Sequence, residues 1–375
     1  MLEYTEKIRL AFLIPNLEKG GAERVLVNLV NNLDHKRFQV FIFCLKKKGG
    51  LLHLVDPAVT VCDLNSPRAY FSYFSIRKHI KKHKPHIVAG WLGNLNAILA
   101  FFIPLLPKST IFMCRESNIP SIYNKQYRLP WLFNFLYRFM NRYQSIICQT
   151  SSMKRDLVEN FNVDQGRIRV IANPVTIRHK AADLPPSVRN FLATPSKIML
   201  FVGRFSREKG IDRLLQVMSL MPAGYKLLVV GYGAYEHMIK EAITEHHLEN
   251  RVLIINDCSD PSPYYAVADC IVMTSYVEGM PNVLLEAFSW GCPAVVYQTQ
   301  GGVEEMITKE NGIYIGTKAD IQELRDSIIS VCENGRLSKT KIIEWVGKSH
   351  GVNRIVNEYM DIFWHEWHKG RKRLN

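Results

Sequence analysis

A chain of 375 residues is too long for one ordinary core, so two domains of α/β size are expected, and its formal charge of +14 points to a phosphate-rich partner: a nucleotide, a nucleic acid or an anionic membrane surface. The eight cysteines (44, 62, 114, 148, 258, 270, 292 and 332) form no CxxC and no metal-like pair, and contexts such as FIFCL and SIICQT read as reduced core positions of a cytosolic protein. The start, MLEYTEKIRLAFLIP, is not a secretory signal, and the most apolar stretch, Ala97 to Leu106, is about half the length a membrane helix needs and contains Pro104, so it reads as a buried helix.

Ile8 to Pro15 is a nearly continuous apolar run of strand length, and the GGAERVLVNLVNNL that follows has its apolar residues at helical spacing. Gly20 and Gly21 let the backbone approach a ligand in front of a helix N-terminus, although many strand-to-helix turns use glycine for geometry alone. The turn is not GxGxxG, which argues against a dinucleotide fingerprint. Strand-like runs follow at Phe38 to Leu45, Val59 to Leu64, His86 to Trp91, Thr110 to Cys114, Ser145 to Gln149 and Ile168 to Ala172, many separated by helical stretches. That alternation implies a parallel sheet covered on both faces, with ligands beyond the carboxyl ends of its strands. Among the loops there, Arg115-Glu116-Ser117-Asn118 offers a carboxylate that can act as an acceptor-side base, bind an acceptor, or pair with Arg115.

Two stretches of this half are basic and aromatic: PRAYFSYFSIRKHIKKHK from Pro67 to Lys84, and YNKQYRLPWLFNFLYRFMNRY from Tyr123 to Tyr143. Either is an interfacial helix lying on anionic lipid, or a helix that packs its rings on the sheet while water solvates its cations. In the second, Trp131, Leu132, Phe133, Phe135, Leu136, Phe139 and Met140 cover more than one helix face. A linker is expected from Asn173-Pro174-Val175 to Pro195.

The alternation restarts with the strand Lys197 to Val202 and the loop GRFSREKG, where Gly203 precedes Arg204 and Lys209. An arginine fork and a lysine point charge on one turn can grip a diphosphate; ordinary surface basicity is the alternative. Strands follow at Tyr225 onward (ending in a GYG turn), Arg251 to Asn256, Cys270 to Thr274, Pro293 to Tyr297 and Gly312 to Ile315. Between them, SYVEGMPNVLLEAFSWGCPAVVYQTQGG (Ser275 to Gly302) places Glu278 on a loop and Glu286 in a helix, with Pro281 in its first turn. The free backbone donors of Asn282, Val283 and Leu284 suit a phosphate, and the two carboxylates suit sugar or ribose hydroxyls; the plain alternative is a pair of solvated acids. No DxD occurs. The tail carries Ile355, Tyr359, Ile362, Phe363 and Trp367 at helical spacing and ends in KGRKRLN.

The string SxxEGxPxxLLEAxxxGxPxV with its E-x7-E spacing, followed by GG, resembles the retaining glycosyltransferases of family 4, and the GRxxxxKG of the second half matches that family's phosphate clamp. The resemblance implies two Rossmann-like domains facing a cleft, the glycosyltransferase B fold, with boundaries near 1–180 and 196–350 and a last helix, 351–375, packed back on the first domain. It implies that Arg204 and Lys209 stabilise the leaving diphosphate in place of a metal, and that Glu286 holds the ribose. Glu278 and the backbone of Gly279, Met280, Pro281, Asn282, Val283 and Leu284 would take the sugar and phosphates, Gly203 the clamp turn, Gly20 and Gly21 the diphosphate from across the cleft. By the same resemblance the nucleobase would sit against the loop after the 251–256 strand, where Asn256 replaces the family's usual glycine. Glu116 stands where many members carry a histidine near the reacting sugar. No cofactor or metal is implied. The donor is a nucleoside-diphosphate sugar, a UDP-sugar rather than a GDP-sugar, and the acceptor a saccharide, lipid-linked, in assembly of a surface polysaccharide, lipopolysaccharide or glycan precursor. The enzyme would be cytoplasmic and peripheral at the inner face of the plasma membrane. Two rivals are an epimerase on a related two-domain scaffold, separable by following released nucleoside diphosphate, and a nucleic-acid-binding protein, against which stands the lack of any base-reading module.

Overall fold

The computed structural model describes residues 6–66, 72–126, 128–178, 180–256, 258, 260–316, 319–333 and 337–374. Residues 67–71 of the first basic aromatic stretch, Asp257 and Ser259 of the loop after the 251–256 run, and Asn375 of the basic tail lie outside the described residues. The chain divides into two compact units: Met1–Pro174 together with Val352–Asn375, and Val175–Gly351.

The first unit is built on seven strands: β1 (Ile8–Ile14), β2 (Phe38–Cys44), β3 (Thr60–Asp63), β4 (Ile87–Gly90), β5 (Ile111–Arg115), β6 (Ser145–Cys148) and β7 (Ile168–Val170). Their order is β3-β2-β1-β4-β5-β6-β7 and every pairing is parallel. Because side chains alternate between faces, one strand feeds two cores: Leu13, Phe41 and Phe43 enter one, Phe12, Ile14 and Ile42 the other. This is why the strands read as unbroken apolar runs. The helix Val352–Leu374 closes the second core, burying Ile355, Tyr359, Ile362, Phe363 and Trp367, with Phe363 edge-on to Phe12 at 5.9 Å.

The second unit repeats the plan with β8 (Lys197–Val202), β9 (Tyr225–Val230), β10 (Val252–Ile255), β11 (Cys270–Met273), β13 (Ala294–Tyr297) and β15 (Gly312–Ile315), in the order β10-β9-β8-β11-β13-β15 and again all parallel. A two-strand ladder joins β12 (Val277–Glu278) to β14 (Gln300–Gly301). In both sheets the winding reverses beside the first strand, between β1 and β4 and between β8 and β11. A crevice opens at such a reversal, beyond the carboxyl ends of the strands, because the neighbouring connections leave in opposite directions.

Four expectations change. The stretch 175–195, read as linker, belongs to the second unit: Val175 pairs with Gly351, and Val188 in the helix Pro186–Phe191 is buried with Ile177 and Phe191 packed beside it. Glu278 lies on a strand rather than a loop, because Val277 and Glu278 pair with Gln300 and Gly301. The helix Gly93–Phe102 buries Leu95 to Ala100 as expected of a core helix, yet its end surfaces, leaving Phe101 and Leu105 exposed. In the second aromatic stretch the helix Pro130–Tyr137 turns Phe133, Leu136 and Tyr137 inward and leaves Trp131 and Phe135 exposed, so only one of its faces packs on the core.

Gly210 ends the turn Arg207–Lys209 at φ +64°, just before the helix Ile211–Leu220, and a Cβ there would run into the Thr274 carbonyl at the end of β11. Gly210→Ala should therefore destabilise the second unit by about 2 kcal/mol or more, read as a lower urea midpoint. An unchanged midpoint would mean that the loop need not lie against β11.

Candidate functional site

At the reversal in the second unit two loops leave adjacent strands, and backbone contacts sew them together. The loop after β8 runs from Gly203 to Gly210; the segment after β11 runs from Thr274 to Glu278. The Tyr276 N–H donates to the Glu208 carbonyl at 2.9 Å, the Thr274 hydroxyl to the Lys209 carbonyl at 3.2 Å, and the Gln300 N–H to the Tyr276 carbonyl at 2.9 Å. On the other side, the GYG turn after β9 meets the same loop: Phe205 N–H donates to the Tyr232 carbonyl at 2.8 Å, and Gly231, at φ +150°, lies where any Cβ would strike the Gly203 carbonyl. The GYG turn is thus a packing device for the loop 203–210.

This stitching brings Lys209 Nζ to 2.5 Å from Glu278 Oε1, two side chains 69 residues apart, with Lys209 27% and Glu278 10% exposed. Arg204 lies on the same loop, exposed and, among the described residues, without an ion-pair partner. The helix Asn282–Ser289 carries Glu286, whose Oε2 accepts a hydrogen bond from the Tyr265 hydroxyl at 2.9 Å. Pro281 is the N-cap rather than a first-turn residue, and the Leu284 N–H is taken up by the Pro281 carbonyl at 3.2 Å, so the row of open donors is shorter than the sequence suggests. Gly279 and Met280 link Glu278 to that cap; Leu284's side chain is fully buried and its N–H bonded, leaving the backbones of Asn282 and Val283 at the helix start. Asn256, after β10, is exposed and hydrogen-bonds Glu236, helping Lys240 hold that carboxyl below its usual range. Tyr276 was not legible as a site residue: its hydroxyl donates to Asp212 at 2.6 Å and Arg213 covers its ring at 3.8 Å, which fixes the segment leading to Glu278. Among the described residues no group of three or more His, Cys, Asp and Glu side chains is placed to hold a metal ion.

Gly20, Gly21 and Glu116 belong to the first unit and its own reversal. Gly20 is the N-cap of the helix Gly21–Asn32 at an ordinary φ of −93°, and a Cβ on it would run into the Glu23 carboxylate, which folds over the helix start. Glu116 follows β5 and is 1% exposed. Asn96 Nδ2 donates to its Oε1 at 2.9 Å and the Tyr137 hydroxyl to its Oε2 at 3.0 Å, while Gln149 donates to its backbone carbonyl. Arg115 does not pair with it; the guanidinium donates to Ser117 at 3.0 Å and Asn173 at 2.6 Å and stacks on Trp91. Burial dominates these bonds and pushes the Glu116 carboxyl up to about 7. Glu116 lines a cavity of about 550 Å³ with Asn16, Asn94, Asn118, Tyr123 and Tyr137, and Gly93 leaves the space for it, since a Cβ there would sit 2.8 Å from Glu116 Oε2. Asn96 and Tyr137 had no signal in the sequence beyond polar atoms inside apolar helices.

Two family models match the chain: Glycosyltransferase Family 4 over residues 19–179 and Glycosyl transferases group 1 over residues 187–344. It is 25% identical to an uncharacterized glycosyltransferase of Haemophilus influenzae, covering 94% of this chain and 99% of that one. It is also 25% identical to the Escherichia coli UDP-Gal:alpha-D-GlcNAc-diphosphoundecaprenol alpha-1,3-galactosyltransferase, covering 95% and 97%. Among solved structures, Anabaena HepE in complex with UDP-glucose superposes with a TM-score of 0.80 at 18% identity, over 95% of this chain and 99% of that one. That likeness establishes the glycosyltransferase B fold.

Glu116 makes stability depend on pH with a definite sign. The unfolded chain ionises this carboxyl near its ordinary 4.5 and the folded chain only near 7, so between them the unfolded state has shed a proton the folded state keeps, and stability falls as pH rises. The loss amounts to about 3 kcal/mol across that window. Unfolding free energies from urea titrations between pH 4.5 and 8 should fall by that much more in the wild type than in Glu116→Gln, where no carboxyl titrates at this position; parallel curves would contradict the assignment.

Proposed function

The chain belongs to the family 4 glycosyltransferases, and on that footing we propose that it moves a hexose-type sugar, with retention at the anomeric carbon, from a UDP-sugar to a saccharide carried on a lipid at the inner face of the plasma membrane. It is a transferase that uses a nucleotide-sugar donor. The observation that carries the residue roles is the Lys209–Glu278 contact at the reversal of the second sheet, with Arg204 on the same loop. Three N–H donors on one ammonium let Lys209 keep Glu278 and still reach a phosphate oxygen. Arg204 adds a planar fork to the diphosphate, Glu278 and the Gly279–Val283 backbone take the sugar and its phosphate, and Glu286, held by Tyr265, receives the ribose hydroxyls. Gly203 and Asn256 border the nucleotide.

The acceptor oxygen forms its bond to the anomeric carbon on the face from which UDP departs. The bond from that carbon to the phosphate oxygen breaks with its electron pair going to the phosphate, and the same oxygen receives the acceptor's proton. Arg204 and Lys209 stabilise the charge that builds there, a role a metal plays elsewhere. In the first unit, the Glu116 carboxylate accepts a hydrogen bond from the acceptor saccharide in its cavity, so turnover at limiting acceptor rises with pH through about 7. The names of the Escherichia coli relative, with its UDP-Gal donor and diphosphoundecaprenol acceptor, and of the UDP-glucose-bound HepE support a UDP-sugar and a lipid-linked acceptor.

Arg204→Ala and Lys209→Ala should each lower kcat by about a hundredfold with donor KM little changed, because their contacts strengthen as the leaving charge develops. Glu286→Ala should instead weaken UDP binding about tenfold in calorimetry, having lost a charged hydrogen-bond acceptor. Wild-type rates in all three would reject the assignment. Chelating divalent metals should leave the wild-type rate unchanged, and loss of activity on chelation would overturn the metal-independent mechanism.

A further inference from the structure

The net charge of this protein is concentrated in one place. Residues 64–155 contain 14 Lys and Arg and a single acid, the buried Glu116, so this stretch alone carries +13 of the chain's +14. On the surface of the same unit, aromatic rings form an unbroken series across three helices. Phe135 meets Phe139 at 5.3 Å, Phe139 meets Phe101 at 5.4 Å, Phe101 meets Phe102 at 5.3 Å, Phe102 meets Tyr73 at 5.1 Å, and Tyr73 meets Phe74 at 5.0 Å. Much of it faces solvent: Phe74 is 77% exposed, Phe101 and Phe135 also lie open, and Trp131, one turn from Phe135, is 67% exposed. Single exposed rings need no explanation, but a contiguous belt does.

Cations flank the belt. Arg142 covers the Phe139 ring at 4.2 Å and donates to the Phe101 carbonyl at 2.8 Å. On the helix Tyr73–His83, Phe74, Arg77, Lys78 and Lys81 follow one another at helical spacing on a single exposed face, opposite the buried Ile76 and Ile80. Apolar and amphipathic rings beside Arg77, Lys78 and Lys81, which among the described residues have no ion-pair partner, match an anionic lipid surface, where rings settle at headgroup depth and cations meet phosphates. No helix among the described residues is long and apolar enough to cross a membrane, so contact is at the surface. A second copy of this chain would present the same positive field and repel it.

We propose that the belt from Phe74 to Phe135, with Trp131 and the basic face of the helix Tyr73–His83, is the surface by which this protein docks on anionic phospholipid; the inference rests on the reading of a lipid-linked acceptor. The helix Pro130–Tyr137 ties the two together. Its outer face gives Trp131 and Phe135 to the belt, and its inner face gives Tyr137 to Glu116 and the acceptor cavity. Docking therefore sets a wall of that cavity one helix thickness from the headgroups.

The test is sedimentation of the full chain with phosphatidylcholine vesicles, with and without phosphatidylglycerol. Binding should require phosphatidylglycerol and disappear at about 0.5 M salt. Phe74→Ser with Trp131→Ser should weaken it about tenfold or more, as should Arg77→Gln with Lys78→Gln and Lys81→Gln, while UDP affinity by calorimetry stays at the wild-type value. Equal sedimentation with both vesicle types, equal sedimentation of wild type and variants, or a dimer in solution that the same substitutions dissolve would each overturn the proposal. The UDP titration separates the two readings: vesicle binding without UDP affinity upholds docking and overturns the transferase reading, and UDP affinity without vesicle binding does the reverse.

Discussion

A positive turn held against a carboxylate is what the second unit is built to provide. Lys209 and Glu278 come from loops after different strands, and their 2.5 Å contact survives only because backbone groups fix both loops: Tyr276 to Glu208, Thr274 to Lys209, Gly210 pressed on Thr274, Gly231 pressed on Gly203. Each of these positions has no side chain or donates a hydrogen bond, so the loops approach more closely than packed side chains would allow. The parallel order β10-β9-β8-β11-β13-β15 supplies the opening, and the glycines and ladder bonds supply the fit. The backbone of the two loops thus fixes the ion pair in place.

The first unit uses the same sheet plan for a different end. Its reversal holds a buried carboxyl instead of an ion pair: Glu116 is bonded by Asn96 and Tyr137, and burial outweighs those bonds and raises it to about 7. One architecture thus holds an ion pair between two loops in one unit and a buried, titratable acid beside a cavity in the other. The helix Val352–Leu374 returns to this unit and closes the core on the face of the sheet that carries Phe12, Ile14 and Ile42.

Much of this was legible in the sequence because the signals are local. Buried parallel strands need apolar residues on both faces, so β1, β2, β8 and β9 announce themselves as continuous runs, and the helix Asn282–Ser289 follows from Pro281 and the apolar spacing after it. What was not legible is non-local. The β12–β14 ladder is two residues long on each side and carries no pattern of its own. Lys209 and Glu278 were each singled out, yet nothing in their spacing says that they touch. The linker reading of 175–195 went astray because polar and proline-rich composition hides Val188 and its apolar neighbours, which are enough to bind the segment to the second core. Tyr137 and Asn96 sit among apolar residues that justify their helices without them, so their bonds to Glu116 emerge only in three dimensions.

The most direct test of the central claim is a crystal structure of the protein with UDP bound. The diphosphate should lie within hydrogen-bond reach of Arg204 and Lys209, with the ribose hydroxyls on Glu286 and the β-phosphate beside Glu278. Density for the nucleotide away from the reversal between β8 and β11, or a diphosphate touching neither cation, would contradict the account.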